Sequence, residues 1–427
     1  MKNRPLLGIP VSNTDSGHAC PSVILPPRTI CSNAKATRPM RGCTTCHPCT
    51  KGTRANKQHS RQQLAVRPSH PMGTGEQDVD DGLVTQLCHR YYQGLYYTQI
   101  QESLLVVLNP FRPAIDVNSE DILRAYRREF RNTRITQHHA PLPPHIFRLA
   151  HNAYFYMQRT GQDQCLFFLG ETASGKTETR RLAAHALTGL GAALPGKRGA
   201  RLSFQLPAAL YALECMGRVV TDENDQASSM ALYAELQFSQ NGRLVGFKML
   251  NYFLESARAT VQWDTTSTFH VFSMLVRGAS AEHARRWQIM QDTSFRLLEH
   301  VHDAQSMQVN TDAKFSLWLD ALSQLGITAS QCDALLDVLA ALLHLSNIDF
   351  VQDDGPLCPA RVASEEPLYI AAALLGVGAS SLANAMTHHT RAVNGQLCTA
   401  LLDREHATKS RDRLMRMLYS CLLYTSP

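Results

Sequence analysis

Long apolar runs are missing from this 427-residue chain. The longest, Leu335 to Leu345, is broken by Asp337 and His344 and falls short of the ~18 residues that span a bilayer, so no membrane span is read in the fragment. A secretory leader is missing too. Lys2 and Arg4 are followed by Pro5 to Ser16, too polar for a signal-peptide core, and the expected location is cytoplasmic. Acidic residues are almost absent from residues 1–71, which hold eleven Lys or Arg and only Asp15. The remaining residues carry 31 basic and 35 acidic side chains, leaving no excess positive charge to displace counterions, so nucleic acid is excluded as a partner. Twelve cysteines are scattered with no disulfide framework, which favours reduced thiols. Cys43, Cys46, His47 and Cys49 crowd together, but no second ligand pair follows at the spacing a structural zinc site requires.

What is present is a 44% apolar composition, enough for a substantial core. Residues 1–75, rich in Pro, Ser, Thr and Arg and without period, read as a disordered basic arm. Met72 would serve as an alternative start. From Asp78 onward strands and helices alternate. Leu104 to Leu108 reads as a buried strand, Ser119 to Phe130 and Pro143 to Met157 as helices, and Gln164 to Leu169 as a fully buried parallel strand. A helix is expected from Gly175 to about Leu190. Tyr233 to Phe238 and Leu244 to Leu250 flank Asn241-Gly242 as a hairpin, and the tail from about Glu282 is mostly helical. Cys165 and the Phe269 to Phe272 block read as core, Arg285-Arg286-Trp287 as a surface helix segment, and His145 and His344 as packed or surface histidines.

The segment Gly170-Glu171-Thr172-Ala173-Ser174-Gly175-Lys176-Thr177 matches G-x-x-x-x-G-K-[ST] without a mismatch, between an expected strand and an expected helix. Glycines let the backbone amides turn inward, and the helix adds its positive end, so phosphates meet a ring of donors. Lys176 would neutralise the outer phosphates and Thr177 would place its hydroxyl on Mg²⁺. The chain is therefore expected to bind ATP with Mg²⁺.

This loop resembles that of the myosin motor head, G-E-S-G-A-G-K-T-E, sharing Glu171 and Glu178. Asn109-Pro110-Phe111-Arg112 with Tyr126 resembles the adenine-side loop of that family. Pro143 to Phe147, Asn152 to Tyr154 and Leu343 to Ile348 are similar to further blocks in the same order. Arg180-Arg181-Leu182-Ala183 and Thr160 to Gln164 are most like the myosin-like heads of fungal chitin synthases. The resemblance implies an α/β P-loop NTPase fold of myosin-head type, with a mixed central sheet, helices on both faces and a large helical insertion. It also implies actin filaments as partners and a chitin synthase domain in the same polypeptide. The full-length protein would then sit in a myosin complex, or at the cytoplasmic face of the plasma membrane or secretory vesicles. A P-loop kinase or transferase would need a small-substrate pocket and lid, and the ordered blocks argue against it.

The family's switch I, N-x-N-S-S-R-F-G-K-Y, aligns with Asn224 to Tyr233. Asn224 and Ser228 stand at the positions that touch phosphate and complete the Mg²⁺ shell, while Ser229 replaces the arginine that closes the site around the attacking water. Catalytic roles therefore fall to Lys176 and Ser228, with hydrolysis slow or absent. The alternative function is a nucleotide-binding tether without motor output. Switch II is not found, and residues 76–427 read as the N-terminal portion of a motor domain, truncated before it.

Overall fold

In the computed structural model the described backbone covers residues 22–25, 76–132, 142–192, 197–221, 224–260, 268–289, 293–298, 311–353, 358–393 and 396–425. Cys43, Cys46, His47 and Cys49 lie outside the described residues. Among the described residues no group of His, Cys, Asp and Glu is arranged to hold a metal, and no single helix is long and apolar enough to cross a membrane.

Among the described residues the largest sheet is mixed and has four strands, ordered β2 (Tyr97–Gln101), β3 (Leu104–Val107), β1 (Ser22–Leu25), β4 (Phe167–Gly170). β2 runs antiparallel to β3, and β1 runs parallel to both β3 and β4, setting Ser22 opposite Leu104 and Phe167. The arm expected to lack structure thus supplies one strand, at the β-prone stretch Ser-Val-Ile-Leu that its prolines and lack of period conceal. β4 is shorter than expected and is not fully buried: its residues range from half-buried to exposed, with Leu169 52% exposed. The reason is local, because Phe167, Phe168 and Leu169 line a cavity described below.

Asn241-Gly242 turns the chain between β7 (Ala231–Phe238) and β8 (Leu244–Tyr252), which pair antiparallel from Ala231↔Tyr252 to Phe238↔Leu244. Gly242 sits at φ 77°, and its carbonyl accepts the Tyr154 hydroxyl at 2.7 Å; a Cβ there would lie 2.3 Å from that oxygen. Only glycine meets both demands. This hairpin is a ladder of its own, hydrogen-bonded to no strand of the four-stranded sheet.

Among the described residues two large apolar cores form, beside a small cluster of Leu87, Val106 and Leu108. One gathers Leu105, Val107, Phe147, Met157 and Leu187 around β3 and the helices Ile146–Thr160 and Lys176–Ala192. The other gathers Phe269, Phe272, Trp318, Leu339 and Tyr419 around the helices His270–Gly278, Ala329–Ser346 and Arg404–Thr425. The Lys197–Gly217 helix belongs to both: Leu206 and Leu210 pack in the first, Leu213 and Met216 in the second.

The Ala329–Ser346 helix begins with a capping box between Thr328 and Gln331, and its two polar interruptions share one partner. Asp337 Oδ1 accepts Trp287 Nε1–H at 2.9 Å, and His344 Nε2 lies 2.7 Å from the Trp287 carbonyl. Arg286 also pairs with Asp337. Trp287 is therefore fully buried, which corrects the surface reading of Arg285-Arg286-Trp287: the arginines stay accessible while the indole is core. His145 caps the Ile146–Thr160 helix through Nδ1, which accepts Phe147 N–H at 3.1 Å.

Burial keeps several histidines neutral, with His145 lowered to about 3 and His151 and His270 to about 4. In the unfolded chain each takes up a proton below about pH 6.5. The stability they allow is present above that pH and is lost as pH falls towards 4, at about 1.4 kcal/mol per unit for each group. His344 is lowered by burial as well, so urea midpoints measured between about pH 7.5 and pH 5 should fall steeply, and His270→Gln should make the fall shallower.

Candidate functional site

Gly170 leaves β4 at φ 141°, Ala173 stands at φ 63° and Gly175 at φ 90°. Three left-handed backbones in six residues double the chain back before the Lys176–Ala192 helix begins. Ala173 carries a Cβ in a region that costs roughly 1–2 kcal/mol for an L-residue. Asn109 holds it there: Nδ2 donates to the Ala173 carbonyl at 2.7 Å, while Oδ1 accepts Phe111 N–H at 3.0 Å. One side chain thus ties the Asn109–Arg112 segment to the strained loop. Lys176 Nζ lies against the loop's own carbonyls, 2.6 Å from Gly170 O and 2.5 Å from Glu171 O, and burial lowers its pKa.

The loop opens into a cavity of about 1000 Å³. Its far wall includes β6 (Asn224–Ser228), which pairs antiparallel with β5 (Arg218–Thr221). Asn224 and Ser228 both line the cavity. Asn224 Oδ1 accepts Gln226 N–H at 2.9 Å, which fixes the side chain at the first residue of the strand. Ser229 is buried and turned away: its Oγ donates to the Gly217 carbonyl at 2.8 Å, beside its own N–H at 2.9 Å to the same oxygen. Gly217 ends the Lys197–Gly217 helix, whose last carbonyls have no helical partners. Met216 O accepts the Tyr419 hydroxyl and Gly217 O takes both Ser229 groups, so Ser229 serves as the helix's C-terminal cap.

Of the residues singled out in the sequence, Asn109, Phe111, Thr172, Ala173, Ser174, Gly175, Lys176, Thr177, Glu178, Asn224 and Ser228 line the one cavity. Gly170 and Glu171 reach it through the carbonyls that hold Lys176. Pro110 and Arg112 are not among the lining residues: the Pro110 carbonyl accepts the Tyr91 hydroxyl at 3.4 Å, and Arg112 donates to the Tyr96 hydroxyl at 2.7 Å. Tyr126 does not join them. It is 2% exposed, packed with His145 and Phe147, and its hydroxyl donates to Pro143 O at 2.5 Å. Its place in the Glu120–Asn132 helix faces the core, away from the cavity that the other site candidates line.

Sequence reasoning gave no site role to four residues that also line the cavity: Arg180, Arg181, Glu214 and Arg218. Glu214 is 4% exposed and pairs with all three guanidiniums. The signal was available. Glu214 is the lone acid in the Lys197–Gly217 helix, and an acid in so apolar a setting requires a partner.

The sequence model of a family described as "Myosin head (motor domain)" matches residues 77–425. Chitin synthase 8 of Mycosarcoma maydis is 42% identical over 343 residues, 80% of this chain and 17% of that protein. Chitin synthase 5 of Cryptococcus neoformans is 34% identical over 354 residues, 81% of this chain and 18% of that protein. Unconventional myosin IC of Drosophila melanogaster is 28% identical over 345 residues, covering 80% of this chain and 32% of its own length. The chain therefore spans less than a fifth of the two chitin synthases it matches.

The two adjacent serines differ in what they support. Ser229→Ala removes a buried hydrogen bond at the helix end and should cost about 1 kcal/mol in urea unfolding. Ser228→Ala, at an exposed position, should stay within about 0.5 kcal/mol of the parent.

Proposed function

Because this chain belongs to the myosin head (motor domain) family, we propose that it is an ATP- and Mg²⁺-binding motor-like domain of P-loop NTPase type, carried by a chitin synthase. The observation that supports it most is the Gly170–Thr177 loop: glycine backbones in left-handed conformation between a parallel strand and a helix, opening on a cavity shared with Asn224 and Ser228. The donor set suits a polyphosphate and a hard cation, with backbone amides, an ammonium and two hydroxyls.

In this reading ATP with Mg²⁺ supplies the phosphoryl group, and the chain's residues bind and orient it. Backbone amides of Gly170 to Gly175 with Lys176 hold phosphate oxygens, and Thr177 and Ser228 hold Mg²⁺ through their hydroxyls. Asn224 holds a phosphate oxygen, and the Asn109–Arg112 segment borders the base. Glu178 stands at the exposed rim. Phosphoryl transfer rests on positioning and charge, so a missing positioning group lowers rate more than binding. Ser229 is committed to Gly217, which favours a second reading in which nucleotide is held with slow or absent hydrolysis and the domain acts as a tether. The full-length protein would engage actin filaments and direct or retain chitin synthesis at growth sites, at the cytoplasmic face of the plasma membrane or on secretory vesicles. The alignment with two chitin synthases supports the fusion.

Fluorescent-ATP titration tests the site. Binding should require Mg²⁺, and Lys176→Ala should weaken it on the order of a hundredfold. Absence of binding by the folded chain would refute the reading. Single-turnover hydrolysis separates the two forms: a rate like that of ordinary myosins supports a motor, and bound ATP that persists supports a tether.

A further inference from the structure

A second cavity, of about 390 Å³, lies between the Lys176–Ala192 and Lys197–Gly217 helices. That volume is within the roughly 300–1000 Å³ of small-molecule sites. It shares Arg181 and Arg218 with the loop cavity, while His185, Thr188, Pro207 and Tyr211 line this one alone. Most of its wall is apolar. Ala184, Leu206 and Leu210 are buried there, and Thr188, also buried, commits its hydroxyl to the Ala184 carbonyl at 2.8 Å. The exposed lining residues, His185 and Pro207, mark its mouth. Phe204, 72% exposed, stands one turn before Pro207 and extends the apolar surface outward. The charged or titratable groups of the lining are Arg181, Arg218, His185 and Tyr211, and none is a carboxylate. Glu120 answers His185 at the surface, at 2.9 Å, and the Tyr211 hydroxyl donates to Lys314 O at 3.3 Å. The two guanidiniums share the Glu214 carboxylate with Arg180, and Arg181 also reaches the exposed Glu178 at 3.4 Å. Arg218 donates through Nη1 to Gln226 and through Nη2 to Glu214, so its Nε–H and one hydrogen on each terminal nitrogen are left for another acceptor. A guanidinium at an apolar wall is favourable when an anion meets it.

We propose that this cavity is a binding site for an amphipathic organic acid: an apolar body, aliphatic or aromatic, that carries one carboxylate or sulfonate. The acid head is held by Arg181 and Arg218, and the body lies against Leu206, Leu210 and Pro207. A neutral apolar molecule of the same size leaves both guanidiniums without their anion. A polyphosphate is disfavoured for the opposite reason, because most of the wall offers its oxygens no donors. The site does not depend on the nucleotide reading, since the residues that line it alone come from the two helices and not from the Gly170–Thr177 loop.

The experiment titrates the full chain with the fluorescent acid 8-anilinonaphthalene-1-sulfonate, in excess Mg-ATP so that the loop cavity is offered its own ligand. The expected result is one saturable site, from which octanoate displaces the dye about tenfold more effectively than 1-octanol of the same chain length. Arg181→Gln should weaken the dye about tenfold, because it removes a charge from the head. Thr188→Leu should weaken it by a similar factor by filling the space, since Thr188 lines this cavity and not the other. It carries the test if Arg181→Gln, which disturbs the Glu214 pairs, fails to fold. Absence of a saturable site, displacement of the dye by Mg-ATP, equal displacement by octanoate and octanol, or parent-like binding in the folded variants would overturn the site. Dye bound as expected by a chain that binds no nucleotide would support this site and refute only the nucleotide reading.

Discussion

The unsatisfied end of one helix organises much of this molecule. The Lys197–Gly217 helix crosses from one apolar core to the other and stops at the cavity, where its last carbonyls need donors. Tyr419 reaches Met216 O from the Arg404–Thr425 helix, stacked at 4.4 Å on Phe269. Ser229 reaches Gly217 O from the start of the following hairpin. Those bonds set where β5 and β6 leave the helix, and hence where Asn224 and Ser228 stand opposite the Gly170–Thr177 loop. An arginine at position 229 could not make the short hydroxyl bond that ends the helix here, so the departure from the family pattern is also a local structural solution.

The cavity is built from groups that would be unfavourable if left alone. Ala173 sits in a left-handed conformation and is held by Asn109; Lys176 is half-buried and faces carbonyls; Glu214 is buried and faces three arginines. Each is tolerated because a partner from a distant part of the chain is fixed by packing. The concentration of such features in one place is what distinguishes a binding site from ordinary core.

Much of this was legible in the residues. The loop motif and the Asn241-Gly242 hairpin rest on local rules of turn and spacing, and they lie within a few residues of where the sequence places them. Trp287 was less legible: its neighbours are arginines, and only the packed structure brings Asp337 and His344 to its indole and carbonyl. Tyr126 was not legible as core either: its neighbours in the Glu120–Asn132 helix include arginines, and only the packed structure sets its ring against His145.

The sequence by itself determined the phosphate-loop pattern, the family blocks and the arginine that Ser229 replaces, because these depend on residue types at short spacings. Tertiary structure decided which groups share the cavity. Arg180 and Glu214 are 34 residues apart, and Asn109 and Ala173 are 64 apart. Contacts at such separations depend on how helices and strands pack around two cores, and no local period encodes them.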